Sequence, residues 1–380
     1  VIGVQLGENW FFQASNEDHH LMALTDLGIF FLMLLGGFEM LPSDLTESSR
    51  DGLFIAIIAM LLPLASGFFL GWFWLPESDL KLAQSLFLGT TLAVTAVPVT
   101  IRVFHDFHML DSSIGKLVVS AAVFDDLLSL VLLSVLLAII NTGQLPGLAT
   151  LLLILIRVLV FLAIAFLVGN YLMQPLARII SLSNVEQMPF SFLLLMGFAL
   201  AIVAEILGLH FVLGAFAAGL FFRKQTISKE IYEDLHVKLS AITAGFLAPI
   251  FFASIGLRLD LSALTEVPVF LLALTALAFL GKLLGAAIPA RVIGHSSADA
   301  GLIGMAMNAR GAVGLIIAGI ALEAGLFNSS GESVLVENLF SAVVIVVITT
   351  TVLSPIGMRI FLKRIYLQEG DHHGRLPRAR

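Results

Sequence analysis

Apolar residues in this chain neither alternate nor recur on a single helical face. They run almost unbroken for about twenty positions at a time, with polar residues gathered between the runs. A helix of ~20 residues spans the ~30 Å hydrocarbon layer of a bilayer, so each run predicts a membrane-crossing helix. The runs fall at 22–41, 53–75, 82–104, 115–140, 150–173, 187–208, 210–225, 238–257, 266–290, 299–325 and 334–362. That gives about eleven spans, with 187–225 divided only at Gly208–His210. The predicted class is an all-α polytopic membrane protein.

Composition agrees with the pattern. Of 380 residues 59% are apolar and 12% charged, with a mean hydropathy of +1.02; soluble domains carry about twice that charged share. There is no cysteine, which excludes disulfides and thiolate metal centres. The nine histidines lie mostly in loops and ends (His19, His20, His372, His373), so no metal-ligand cluster forms. Neither a cofactor, nor enzyme chemistry, nor a nucleic-acid partner is expected. The partner implied is the lipid bilayer.

Lysine and arginine set an orientation. Alternate loops hold Arg50, Lys116, Arg178, then Arg223, Lys224, Lys229 and Lys238, then Arg291, and finally Arg359, Lys363 and Arg364; the other loops hold only Lys81 and Arg258. The positive-inside rule places the first set, and the C-terminus, in the cytoplasm. Trp10, Trp72 and Trp74 then fall at the outer interface, where aromatic belts lie. This orientation starts the chain outside with no span to carry it across, so one or more N-terminal spans are expected to be missing. The tail from 365, QEGDHHGRLPRAR, is expected to be disordered.

Two spans carry helix-breaking polar patches at mid-depth. The run TTLAVTAVPVTIRVF holds Thr91, Thr95, Pro98 and Thr100; GMAMNARGAVGLI holds Asn308, Arg310, Gly311 and Gly314. Pro98 removes a backbone donor and disfavours helix at Val97. Non-helical backbone at that depth survives only where protein buries it or a cavity borders it. Each patch is the middle member of a triplet, 53–140 and 266–362, and the triplets are oppositely oriented. That pattern predicts inverted repeats with two crossed discontinuous helices and a midplane site. The division expected is 1–52 as part of a scaffold or dimerisation domain, 53–140 as the first half of a transport core, 141–265 as linker and scaffold helices, 266–364 as the second half of the core, and 365–380 as a cytoplasmic tail. Within it, 222–240 is expected to be a basic, amphipathic, solvated connecting helix.

The ionisable residues add chemistry. Asp125 and Asp126 sit mid-span in AAVFDDLLSLVLL, where each carboxylate costs ~2.5–3.5 kcal/mol even on insertion scales. Neighbours in a helix point about 100° apart, so the two face different partners. Lys282, in LLALTALAFLGKLLGAAIPA, is the one deep lysine, and it needs a counter-charge there; Asp125 is its expected partner. Carboxylates, Thr95, Thr100 and freed carbonyls near Thr95–Val99, Val97 included, supply the oxygens an alkali cation prefers. Cation and proton would compete for the same carboxylates in a coupled titration, and competition in an alternating-access carrier is antiport. Arg310 is read as neutralising helix-end carbonyls or a carboxylate, and Asn308 as a cap or cavity lining. Glu39, Arg102, Arg157, Glu205 and Glu323 are read as snorkelling or interfacial, and His210 and His236 as structural.

At these residues the chain resembles the monovalent cation:proton antiporter family, in its electrogenic branch with an NhaA-like fold. The stretches that carry the resemblance are LGIFFLMLLGGFEM, GTTLAVTAVPVT with Arg102, AAVFDDLLSLVLL, LGLHFVLGAFAAGLFF, FLAPIFFASIGLRLDLSAL, LGKLLGA and GMAMNARGAVGLI, in family order over nearly the whole chain. The resemblance implies that Asp126 binds cation and proton, that Asp125 is the second carboxylate paired with Lys282, and that Thr95 lines the unwound crossing. It further implies a homodimer, a core that moves against a scaffold, about two protons per cation, and a prokaryotic inner membrane. Ala96 and Ala312 depart from side chains some relatives carry, which bears on ion preference. Na⁺/H⁺ exchange is the expected activity, with Li⁺ and K⁺ as further candidate cations. K⁺/H⁺ exchange, a sodium-coupled organic-anion symporter, and a non-transporting channel or sensor are the alternatives.

Overall fold

A computed structural model describes residues 19–40, 45–95, 97–107, 109–110, 112–142, 147–172, 187–222, 227–327 and 333–373. Ala96, Trp10, Arg178, Arg223, Lys224 and 374–380 lie outside them. Among the described residues every regular element is a helix. In chain order these are α1 (His19–Glu39), α2 (Leu45–Trp74), α3 (Lys81–Ala93), α4 (Val97–Asp106), α5 (Ser113–Thr142), α6 (Leu148–Leu167), α7 (Met188–Ile206) and α8 (Phe211–Phe221). There follow α9 (Lys229–Ile242), α10 (Ala248–Leu257), α11 (Ala263–Glu266), α12 (Pro268–Val292), α13 (Ser297–Ala306), α14 (Ala312–Glu323), α15 (Val334–Glu337) and α16 (Leu339–His373).

Among the described residues, eight stretches are long and apolar enough to cross a membrane: Leu21–Glu39, Arg50–Trp74, Ser113–Ile140, Leu148–Tyr171, Met188–Ile206, Lys229–Leu257, Pro268–Val292 and Leu339–Leu362. The expected eleven is not reached by this measure. Runs 82–104 and 299–325 are each two short helices, and 210–225 yields only the eleven residues of α8. Two further expectations are corrected. The segment 222–240 is not a separate connecting helix: α9 passes through a π turn at Thr243–Leu247 directly into α10, and Tyr232, Leu235 and Leu239 are buried. The tail is helical as far as His373 rather than disordered from 365, where Leu367, Gln368 and Glu369 favour helix.

The chain forms two compact units, each drawn from two separate stretches of sequence. In the unit built from 1–43 and 146–259, α1 packs on α8 and α10, and α7 packs on α8. Phe30 of α1 stacks on Phe198 of α7 at 4.4 Å between centroids. Gly208, at φ +72°, turns the chain out of α7, and His210 caps α8 by accepting from the Val212 N–H. Arg157 of α6 is near Gly208, where an added Cβ would fall 2.9 Å from its Nη1. Glu205 accepts from the Phe211 N–H at 3.1 Å. Glu39 Oε1 lies 3.2 Å from His236 Nε2, and Tyr232 Oη donates to the Phe38 carbonyl at 3.3 Å.

In the unit built from 44–145 and 260–380, small residues spaced four apart let helix backbones touch. Gly67 and Gly71 of α2 meet α3: an added Cβ would lie 2.8 Å from Gly89 Cα or from Ser85 Cα respectively. Gly281 and Gly285 of α12 meet another stretch of α2, with added Cβ atoms 3.2 Å from Pro63 Cα and 3.0 Å from Ala59 Cα. Helix is interrupted in both runs expected to break. After Ala93 the backbone is extended at Val94 (φ −73°, ψ 145°), Thr95 is non-helical, and α4 begins at Val97. Pro98 therefore starts a helix instead of breaking one, because its missing N–H belongs to the first turn, where no intrahelical partner exists. The second interruption covers 307–311, between α13 and α14. Ser296 opens α13 by accepting from the Asp299 N–H at 3.1 Å.

Candidate functional site

α5 carries both aspartates near its middle, and both are buried. Lys282 comes from the middle of α12, whose glycines at 281 and 285 allow it to lie close to α2. The two helices place Lys282 Nζ 2.8 Å from Asp125 Oδ1, with both side chains fully buried. The same ammonium donates to the Ala93 carbonyl at the end of α3. Ser129, one turn on from Asp125, donates to the Asp125 main-chain carbonyl at 2.7 Å. Asp126 takes no part in that pair. Among the described residues, Asp125 Oδ2 and Asp126 Oδ1 are buried side-chain oxygens with no hydrogen-bond partner. A carboxylate left in that state at depth is expensive.

The second interruption supplies Asn308 and Arg310, both fully buried. Arg310 Nη2 donates to the Leu92 carbonyl at 2.6 Å and to the Ala278 carbonyl at 2.7 Å; Nε also reaches Leu92 at 3.2 Å, and Nη1 reaches Asn308 Oδ1 at 3.3 Å. Asn308 Nδ2 donates to the Phe279 carbonyl at 3.1 Å. Arginine's fixed fork of donors suits this multiple capping, which a lysine could not reproduce. Its hydrogen bonds thus go to a carbonyl at the end of α3, to one within α12 and to Asn308.

Threonines tie the two interruptions together. Thr95 Oγ1 donates to the Met307 carbonyl at 3.1 Å, and Thr100 Oγ1 donates to the Ala306 carbonyl. The C-terminal carbonyls of α3 thus meet two cationic side chains, and those of α13 meet hydroxyls. Basic groups thus already occupy the Leu92 and Ala93 carbonyls, which precede the Thr95–Val99 stretch expected to serve a cation. Thr95 spends its proton on Met307, leaving its lone pairs as acceptors. Val97 stands at the first position of α4.

The chain sequence did not single out Thr351 and Ser354, yet both reach this region. Thr351 Oγ1 donates to the Arg310 carbonyl and to Val347 O, and Ser354 Oγ donates to the Met305 carbonyl at 2.7 Å. Their signal was hydroxyls in the otherwise apolar run VVITTTVLSP, where polar groups commonly join helices.

The site therefore gathers two carboxylates and two basic groups around two helix breaks. With all four ionised the formal charge is zero (two negative, two positive). One carboxylate is bound to a lysine, and its neighbour has a buried oxygen with no hydrogen-bond partner among the described residues.

Comparison with known proteins adds an independent line. The family described as "Sodium/hydrogen exchanger, transmembrane" matches residues 1–364. The chain is 29% identical over 355 residues to the Na(+)/H(+)-K(+) antiporter GerN of Bacillus cereus, covering 93% of this chain and 86% of that protein. It is 30% identical over 345 residues to a Na(+)/H(+) antiporter of Enterococcus hirae, covering 90% of this chain and 85% of that protein. Among solved structures, the sodium proton antiporter MjNhaP1 from Methanocaldococcus jannaschii at pH 8 matches with a TM-score of 0.70 at 20% identity, covering 95% of this chain and 91% of that one. At that identity the structural likeness speaks for the fold.

Proposed function

The chain belongs to the transmembrane sodium/hydrogen exchanger family, and from that premise we propose that it is an electrogenic Na⁺/H⁺ antiporter working by alternating access. The observation that carries antiport is the unequal carboxylate pair: Asp125 is held by Lys282, while Asp126 Oδ1 has no hydrogen-bond partner among the described residues. Either a proton or a sodium ion neutralises Asp126, and neither leaves room for the other. Exchange follows if the site opens to one side at a time and crosses only when Asp126 is neutralised. An ionised Asp126 in the low-dielectric interior would be too costly to carry across.

Thr95 lends its lone pairs to the bound cation, Thr100 and Asn308 hold the crossing together, and Arg310 supplies fixed positive charge to the end of α3. The unit that contains these residues is the transport core. The other, with α1 and α6–α10, is the scaffold and homodimer contact. The halves of the core are inverted repeats in an NhaA-like arrangement, the membrane is a prokaryotic inner membrane, and the C-terminus is cytoplasmic.

Potassium is a second reading with its own support, since GerN is named for both sodium and potassium. The assay that separates them loads inside-out vesicles or proteoliposomes with a pH-sensitive dye and adds Na⁺, Li⁺ and K⁺ in turn. Sodium should dissipate a proton gradient, and Asp126→Asn should abolish the response. Silence from the wild type with every cation sinks antiport; wild-type rates in Asp126→Asn sink the site assignment.

A further inference from the structure

We infer that Thr351 and Ser354, on α16, are positioning residues of the exchange site, bracing the second interruption from outside the crossing. The inference rests on the antiport reading above. A helix end leaves carbonyls without intrahelical donors, and at membrane depth these must be satisfied by protein. At the end of α13 Thr100 takes Ala306 and Thr95 takes Met307, both from the other broken helix. Ser354 takes Met305 at 2.7 Å and Thr351 takes Arg310, both from α16. The interruption is thus clasped from two sides.

The two α16 hydroxyls are placed on consequential atoms. Met305 O also receives the backbone N–H of Asn308 at 3.2 Å, so Ser354 pins the atom that fixes where Asn308 leaves the helix. Thr351 holds the main-chain carbonyl of Arg310 itself. Asn308 and Arg310 in turn grip Phe279 and Ala278 on the turn of α12 just before Lys282, and Leu92 just before the Ala93 carbonyl that Lys282 uses. A shift at the brace therefore travels through two hydrogen-bonded side chains to the Lys282–Asp125 pair. Thr351 differs from Ser354 in one respect: its single proton is shared between Arg310 O and Val347 O in its own helix, the latter at 2.6 Å. It can release the break and keep a partner, as a latch would; Ser354 acts as the fixed pin.

The test uses the full chain in proteoliposomes, with Thr351→Val (isosteric, without the hydroxyl), Ser354→Ala, and Thr351→Ser, which keeps the hydroxyl. Losing these hydrogen bonds, half-buried at Thr351 and buried at Ser354, should raise the apparent KM for Na⁺ roughly three- to tenfold in the first two and displace the pH profile of exchange. Thr351→Ser should stay within about twofold of wild type. The Na⁺-dependent rise in melting temperature of the detergent-solubilised protein gives a readout independent of transport, and it should shrink in Thr351→Val and Ser354→Ala but not in Thr351→Ser. If Ser354→Ala does not reach the membrane, Thr351→Val decides alone. Unchanged KM, pH profile and Na⁺ stabilisation in an exchanging protein would overturn the brace and leave antiport standing. A wild type that exchanges nothing overturns both.

Discussion

Asp125 and Asp126 are chemically identical side chains one position apart, and the helix gives them different work. Asp125 meets Lys282 at 2.8 Å inside a fully buried pair. Removing one member of such a pair strands the other charge, whereas replacing both with uncharged groups of similar volume leaves no charge stranded. Lys282→Ala should therefore destabilise the solubilised protein by ~3–5 kcal/mol, and Asp125→Asn with Lys282→Met should recover most of that loss. Thermal melts of the two variants in the same detergent check the ordering; a single variant as stable as the double would mean the pair is not closed in the ground state. The aspartates and the lysine stood out in the sequence because charge is rare at that depth. The partners of Arg310 did not, because Leu92 O and Ala278 O are backbone atoms and every residue carries one. Thr351 and Ser354 escaped for a related reason: hydroxyls can satisfy themselves on their own helix, and only the fold reveals which of them reach outward.

At the scale of elements, helix lengths and contacts follow from small residues and from where intrahelical bonding fails. Apolar runs located the helices, and polar patches located the interruptions. The run pattern could not tell one long helix from two short ones, nor that α8 would be shorter than its neighbours, because hydropathy records the solvent and not the hydrogen bonds. Contacts were less legible still. Gly67 and Gly36 look alike in the sequence, yet an added Cβ at Gly67 falls 2.8 Å from Gly89 Cα, while one at Gly36 meets nothing within 4 Å among the described residues beyond its own stretch of helix. Gly67→Ala should push α2 off α3 and cost about 1–3 kcal/mol, because both neighbours are backbone and cannot step aside. Gly36→Ala, in α1, should be neutral or slightly stabilising, by up to about 1 kcal/mol, through helix propensity. Melting temperatures in one detergent compare them. Equal effects would mean that the α2–α3 contact yields more readily than its geometry implies.

The chain divides into two compact units, each drawn from two stretches of sequence, and the ionisable cluster lies in the one built from 44–145 and 260–380. That single location makes a charge count meaningful. With Lys282 and Asp125 paired throughout, a sodium ion or one proton on Asp126 gives the site the same charge, so exchange would be one-for-one and blind to voltage. Electrogenic exchange needs a second proton, and the groups able to take it are Asp125 and Lys282, which means their pair must open during the cycle. A cycle that moves one net charge gains or loses ~2.3 kcal/mol per 100 mV of potential. Wild-type exchange in proteoliposomes should consequently speed up under one sign of imposed potassium-diffusion potential and slow under the other. The variant Asp125→Asn with Lys282→Met leaves Asp126 as the only exchangeable carboxylate of the pair, and its residual exchange should ignore potential of either sign. Voltage-blind wild-type exchange would make the carrier electroneutral and the Asp125–Lys282 pair a permanent strut. Voltage sensitivity surviving in the double variant would place the second proton outside this cluster.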